Sequence, residues 1–428
     1  MNWSKKQIVA AAIFGGALAV AATVIALNFV QPERRIQQQV EHRYVTGDPK
    51  FRHELGVLLG PPILDGNRVS NFENGAQIFP QMLAAVRAAR HSINFETYIY
   101  WSGDVGREFA DALIERAQAG VPVHVLVDWV GSQKMDEQLV AKMEQGGVKF
   151  ERYHPLHWYH LVRMNNRTHR KVLVVDGRVG FTGGVGIADL WQGNAEDPEH
   201  WRDSHYRIEG PAVAQMQAAF MDNWIKTTGQ VLRGEEYFPD LPATGRMSAQ
   251  MFTSSPSGGA DSMLLMYLLA ISSSTKSIDL SASYFVPDQL TTQALIDALK
   301  RGVKVRVIVP GTYIDTEIVR KASRAGWGPL LTAGAQIHEY QPTMFHCKML
   351  VVDGLLVSVG STNFDTRSFR LNDEANLNIY DTAFAREVTQ VFEDDLRHTK
   401  LITLAMWRDR PWTEKMMENA AAAVASQL

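Results

Sequence analysis

One cysteine in 428 residues, Cys347, excludes an intrachain disulfide, so packing alone must hold the fold. No long run of like charges interrupts the chain, and 43 basic against 46 acidic residues leave a formal net charge of -3. The basic stripe of a nucleic-acid binder is therefore missing, and no nucleic-acid partner is expected. His154, His157 and His160 stand close together, but no cysteine or carboxylate accompanies them at metal-ligand spacing. Neither a metal nor another cofactor is expected. The low apolar content of a disordered chain is absent too: 46% hydrophobic residues over this length can bury more than one domain core.

What is present begins with an apolar run from Ile8 to Val30, broken only by Thr23 and Asn28 and flanked by Lys5, Lys6, Arg34 and Arg35. As a helix it spans about 34 Å, enough for a bilayer core and longer than the roughly 7 to 15 residues of a cleaved signal's apolar region. It is apolar all round, unlike a helix with one buried face. The expectation is an uncleaved transmembrane helix over 7–30, followed by a juxtamembrane connector over 31–62 with mixed charge and little periodicity. Once Arg43 is counted, Lys and Arg nearly balance across the run, so the flanks favour neither orientation.

Beyond the connector one pattern occurs twice. Ser92-Ile93-Asn94-Phe95-Glu96-Thr97-Tyr98 leads through a helix-like segment to Gly120-Val121-Pro122-Val123-His124-Val125-Leu126-Val127. Ser277-Ile278-Asp279-Leu280 leads likewise to Gly302-Val303-Lys304-Val305-Arg306-Val307-Ile308-Val309. A repeat of strand, helix and strand predicts two α/β domains with largely parallel sheets, at 63–245 and 246–405. The stretch 232–262, with clustered Pro, Gly and Ser, reads as the linker between them. In 406–428, Trp412, Met416, Ala420 and Val424 fall on one helical face, which predicts a tail helix capping the second domain.

Each repeat also carries His-x-Lys followed by Asp: His169, Lys171 and Asp176, then His346, Lys348 and Asp353. Residues two apart share a strand face, so His and Lys can act together, while Cys347 between them points to the opposite side as a core thiol. Asp-Gly closes each apolar run before another strand, a hairpin signal that puts the Asp at the turn, about 16 Å from the Lys. Both aspartates belong to the motif and so to the candidate catalytic set, but this spacing gives them a structural role. The returning strands end in Thr182-Gly183-Gly184-Val185-Gly186 and Gly360-Ser361-Thr362-Asn363. There Gly183, Gly184, Ser361 and Asn363 are candidate phosphate contacts, through bare backbone N–H groups or side-chain donors. Further on, each repeat offers a carboxylate, Asp203 or Glu374, to orient its histidine.

If the repeats pack about a pseudo-twofold axis, the two histidines and two lysines converge. Such a set allows one histidine to attack phosphorus and the other to move the alcohol's proton, with both lysines against the non-bridging oxygens. Glycines beside His169 predict open room for a nucleophile there, and Glu374 near His346 predicts a protonated general acid.

Paired His-x-Lys motifs with their aspartates, followed by Gly-Ser-x-Asn, resemble the phospholipase D superfamily over about residues 60 to 400. Within it, Phe95-Glu96-Thr97-Tyr98-Ile99-Tyr100, Tyr284-Phe285-Val286-Pro287 and Asn372-Asp373-Glu374-Ala375-Asn376 look like bacterial cardiolipin synthases. The resemblance implies two phospholipase D-like α/β domains related by a pseudo-twofold axis behind the N-terminal helix. It further implies a phosphohistidine intermediate and transfer of a phosphatidyl group between phosphatidylglycerol molecules with release of glycerol, in a bacterial inner-membrane enzyme with one N-terminal anchor. The first repeat departs from Gly-Ser-x-Asn at Gly184 and Gly186, which predicts lopsided phosphate contacts. Hydrolysis by the same site, as a phospholipase D or a nuclease, is the alternative. A catalytically silent scaffold is a third reading, against which both intact His-Lys pairs speak. Tyr153 to His160, with Arg163 and Arg167, suit a lipid-headgroup entrance or an ordinary surface loop equally.

Overall fold

The structure is a computed structural model that describes residues 4–28, 36–155, 166–256 and 261–423. The apolar run forms the helix Lys5–Asn28, and from Lys5 to Val24 none of it is buried, leaving an apolar cylinder long enough to cross a bilayer. The expected connector holds a helix of its own, Pro49–Leu59, whose start is fixed by Asp48 accepting from Lys50 N at 2.8 Å and by proline in the first turn. Phe51, Leu55 and Leu59 recur at every fourth position, and that stripe buries against the core of the second repeat.

In the first repeat Ile93–Thr97, Val123–Asp128 and Lys149–Tyr153 lie parallel, with helices as the crossovers. On its other side Ile93–Thr97 pairs antiparallel with Val172–Val175, followed outward by Val179–Gly183, Ser204–Glu209 and Leu64–Glu73. The second repeat copies this order. Ser277–Ala282, Lys304–Pro310 and Gln336–Tyr340 are parallel, and Lys348–Val352, Leu356–Gly360, Asn372–Tyr380 and Met247–Ser254 follow antiparallel on the other side. The α/β class is as expected, but each repeat's strands are mixed rather than largely parallel. A two-residue Asp-Gly turn is too short for the crossover that parallel neighbours need, so the hairpin strands run antiparallel.

Met247–Ser254 corrects the reading of 232–262 as a linker. This strand of 8 residues pairs with Asn372–Tyr380 on one side and Leu64–Glu73 on the other, joining the repeats into one continuous sheet. The tail differs as well. Its helix, Trp412–Ala422, buries Glu418 and Ala421, while Trp412 and Met416 are 70% and 60% exposed. Ion pairs of Glu418 with Arg410 at 2.7 Å and Arg324 at 3.5 Å decide which face docks, against the apolar periodicity. Val424 lies outside the described residues.

At the hairpin tips Asp176-Gly177 have φ of 55° and 60°, and Asp353-Gly354 of 55° and 63°, as a type I′ turn requires. The Asp176 carboxylate accepts from the N–H groups of Arg90, His91 and Ser92 at 2.6–3.0 Å. Asp353 accepts from those of Thr275, Lys276 and Ser277 at 2.7–3.1 Å. Each aspartate thus ties its hairpin tip to the turn that opens the first strand of the parallel set.

Candidate active site

Both histidines stand at the end of the sheet opposite those tips, and each hangs from backbone of the other repeat. Arg167–Thr168 pairs with Asn372–Asp373, and His169 N donates to Asp373 O at 2.8 Å. Reciprocally, Arg202 bridges to Phe345, and His346 N donates to Arg202 O at 2.8 Å. The side chains follow the backbone. His169 Nδ1 lies 3.0 and 3.1 Å from the two Glu374 carboxylate oxygens, and His346 Nδ1 lies 2.7 Å from Asp203 Oδ2. The carboxylates therefore serve the opposite histidines from those expected. Sequence offset counts residues within a repeat, whereas the pairing that decides this contact runs between repeats.

The histidines face a cavity of about 210 Å³, shared with Lys171 and Asn363 and walled by Trp191 and Trp201 from the first repeat and Tyr284 and Asp315 from the second. Lys348 lies behind His346, with its Nζ 2.6 Å from Ser283 Oγ and 3.2 Å from both ring nitrogens. Ser283 Oγ in turn donates to Asn363 Oδ1 at 2.5 Å. Of the four candidate phosphate contacts, Asn363 lines the cavity and Gly183, Gly184 and Ser361 do not. Ser361 donates to Glu374 and accepts from Ala375 N at 3.0 Å. The glycines leave no open room beside His169: a Cβ on Gly184 would come 2.2 Å from Asp203 Oδ1, and one on Gly183 2.6 Å from Ser204 O. Their compactness admits the shorter acid Asp203, to which Trp191 Nε1 donates at 2.9 Å where the other repeat uses a serine hydroxyl. The two repeats thus differ in how each carboxylate is held, rather than in phosphate donors alone.

Known proteins carry the same pattern. The family described as cardiolipin synthase, phospholipase D-like domain, matches residues 82–222 and 267–396. The chain belongs to that family. It is 33% identical to cardiolipin synthase 1 of Bacillus anthracis over 370 residues, 84% of this chain and 72% of the relative. Against the cardiolipin synthase of Alkalihalophilus pseudofirmus the identity is 32% over 400 residues, 92% of this chain and 79% of the relative. Among solved structures, the phosphatidylserine synthase of Haemophilus influenzae shares the fold, with a TM-score of 0.69 at 15% identity over 89% of this chain and 100% of that one. As a member of the family the chain is an enzyme, a phospholipid phosphatidyltransferase.

In this phospholipase D-like site, burial sets the charges. It pushes Lys171 down to about 7, helped by the neighbouring Lys348, and lowers Lys348 too. Burial also pushes His169 down to about 4 and lowers His346. For Glu374 burial works upward, but His169, Lys171 and the Ser361 hydroxyl outweigh it and hold the carboxyl below its usual range. Asp203 is held down in the same way by His346 and Lys348. Burial and Lys348 both work against a proton on His346, and an anionic ligand that offsets Lys348 works in its favour.

The layer beneath His169 was not singled out from the sequence. Glu96, wholly buried, accepts from Thr168 Oγ1 at 2.5 Å and Asn223 Nδ2 at 2.7 Å, and burial pushes it up to about 7. Arg170, between His169 and Lys171, donates to Asp222 at 2.9 Å and Ala219 O at 2.7 Å. In the second repeat that place belongs to Cys347, a buried thiol. A charged residue inside the apolar strand Ile93–Thr97 was the available signal, because a buried carboxyl needs partners. The entrance read at Tyr153 to His160 with Arg163 falls mostly on 156–165, outside the described residues; Arg167 lines the cavity.

Proposed function

We propose that the chain is a cardiolipin synthase of the bacterial inner membrane, held by its N-terminal helix, that moves the phosphatidyl group of one phosphatidylglycerol onto a second and releases glycerol. Two domains at 63–245 and 246–405 would supply one histidine each. The observation that carries this reading is the pair of histidines, each on the other repeat's carboxylate, facing one cavity with a lysine beside each.

His169 Nε2 attacks phosphorus while the phosphorus–oxygen bond to glycerol breaks, and His346 gives its proton to the departing oxygen. The phosphatidyl group is then on His169. The hydroxyl of a second phosphatidylglycerol passes its proton to His346 and attacks phosphorus, breaking the phosphorus–nitrogen bond and restoring His169. Lys171 and Lys348 balance the non-bridging oxygens throughout, and the charge of the bound anion offsets Lys348 and so favours the proton that His346 must deliver. The division of labour rests on Tyr284 and Asp315. Tyr284 donates to Asp315 at 2.7 Å, and Asp315 acts electrostatically on His346 and Lys348. A carboxylate repels phosphate but accepts alcohol hydroxyls, so glycerol belongs on the His346 side.

In a bacterial host without cardiolipin the chain should restore it, and on phosphatidylglycerol vesicles the purified protein should release one glycerol per cardiolipin formed. His169→Ala or His346→Ala, still folded and membrane-bound, should lose turnover by at least about 10³-fold. Phosphatidic acid as the sole product would establish hydrolysis instead.

A further inference from the structure

The course of the connector tells on which side of the molecule the anchor lies. Ile36 N donates to Asp261 Oδ2 at 3.2 Å, and Gln39 Nε2 to Leu290 O at 3.2 Å, at the first turns of helices Ser262–Ser273 and Gln289–Lys300. Further along, Thr46 N donates to Ser273 O at 3.0 Å and Thr46 Oγ1 to Asp353 Oδ2 at 3.1 Å, beside the hairpin tip. Both helices feed strands that run toward the histidines, so their first turns lie at the site end and Asp353 at the far end. The chain thus enters at the site end. Residues 29–35, which link the apolar helix to Ile36, reach at most about 28 Å. The end of the apolar helix therefore lies within that distance of the site end.

Exposed apolar residues stand beside the cavity rim and along the helix pair that leads away from it. Helix Glu317–Ala325 starts at the cavity rim, directly after Asp315 and Thr316, and Tyr313 and Ile318 beside it are 42% and 44% exposed. The tail helix runs antiparallel along it, with Glu418 against Arg324, and Ala421 against Val319 and Ala322 nearer the rim. Its outer face carries Trp412, Met416 and Ala420 to solvent. A cavity of about 210 Å³ is far smaller than a diacyl phospholipid, so the bulk of such a substrate lies outside it while the headgroup enters.

Resting on the reading of the site as a phosphatidyltransferase, we propose that the outer face of Trp412–Ala422, with Tyr313 and Ile318, is a bilayer-docking surface. It beds among the lipid headgroups beside the anchor and sets the cavity mouth against the lipid surface. Trp412 suits that depth, since its ring is apolar and its N–H polar, and an interfacial helix binds through such a face.

The test uses the full chain in phosphatidylglycerol vesicles with brominated acyl chains. A fluorophore on Met416→Cys, with Cys347 buried, should be quenched, and the same label on Lys276→Cys, exposed at the far end, should not. In the double variant Trp412→Glu, Met416→Glu, the ratio of turnover on vesicles to turnover on dispersed short-chain phosphatidylglycerol should fall at least about tenfold. Equal quenching at both positions, an unchanged ratio, or a Met416→Cys label shielded only by concentration-dependent dimers overturns the docking surface. A wild-type chain that makes no cardiolipin from either substrate overturns the proposed function instead, and the quenching pair then decides the docking surface by itself.

Discussion

At Gly184 the site has no room for the serine that its counterpart carries. The backbone there would accept alanine, since φ is not positive, but the added Cβ would lie 2.2 Å from Asp203 Oδ1. Gly184→Ala must therefore shift the carboxylate that orients His346. Steady-state kinetics should show kcat reduced by about 10 to 10²-fold, the scale of a misplaced catalytic group, with Trp191 Nε1 deprived of its acceptor. Lys171 makes a second prediction. Pushed down to about 7 by burial and by Lys348, it is only partly charged at neutral pH in the empty site. A phosphodiester anion favours the charged form, so binding draws in a proton and weakens as pH rises through about 7. The kcat/KM profile should therefore fall on its alkaline side while kcat holds further. A kcat/KM flat well above that pH would mean that the lysine keeps its charge.

Among the elements, the hairpins are the best test of the motif aspartates. Asp176 accepts three backbone N–H groups on Oδ1 at the tip, far from the histidines, with Arg90 N also reaching Oδ2, and an asparagine would lose the negative charge and set an NH₂ group against Arg90 N. Asp176→Asn should cost about 1–3 kcal/mol in stability by chemical unfolding, while turnover per folded molecule is kept. A stable but inactive variant would give Asp176 a chemical role. This hairpin was legible because Asp-Gly between β-branched runs specifies a turn by local chemistry. The helix Pro49–Leu59 was equally available, in Asp48-Pro49 and the spacing of Phe51, Leu55 and Leu59, but the mixed charge around it concealed the stripe. Met247–Ser254 was hidden by its flanks of Pro, Gly and Ser, and the docked face of the tail by ion pairs whose partners, Arg324 and Arg410, no periodicity reveals. Local signals show where a strand turns; they are silent on which element lies across from it.

At the scale of the whole molecule, the repeats exchange their carboxylates, and this makes the two histidines separable by experiment. Glu374 comes from the second repeat but acts on His169, and Asp203 from the first but acts on His346. The sequence contained both acids and both histidines, but the exchange follows from Asn372–Asp373 and Arg202 pairing across the pseudo-twofold axis, a contact of long sequence separation. If His169 is the nucleophile, Glu374→Gln should slow phosphohistidine formation by about 10² to 10⁴-fold with any leaving group, because it removes the partner of the attacking imidazole. Asp203→Asn disables the proton donor, which a p-nitrophenolate leaving group does not need. With a phosphatidyl p-nitrophenyl ester that variant should therefore release p-nitrophenolate at close to the wild-type rate, accumulate the phosphatidyl group on His169, and stall when an alcohol must be deprotonated. Sparing of Glu374→Gln rather than Asp203→Asn by the activated ester would move the nucleophile to His346. Equal losses on both substrates in both variants would mean that the carboxylates hold the interface between the repeats rather than individual imidazoles.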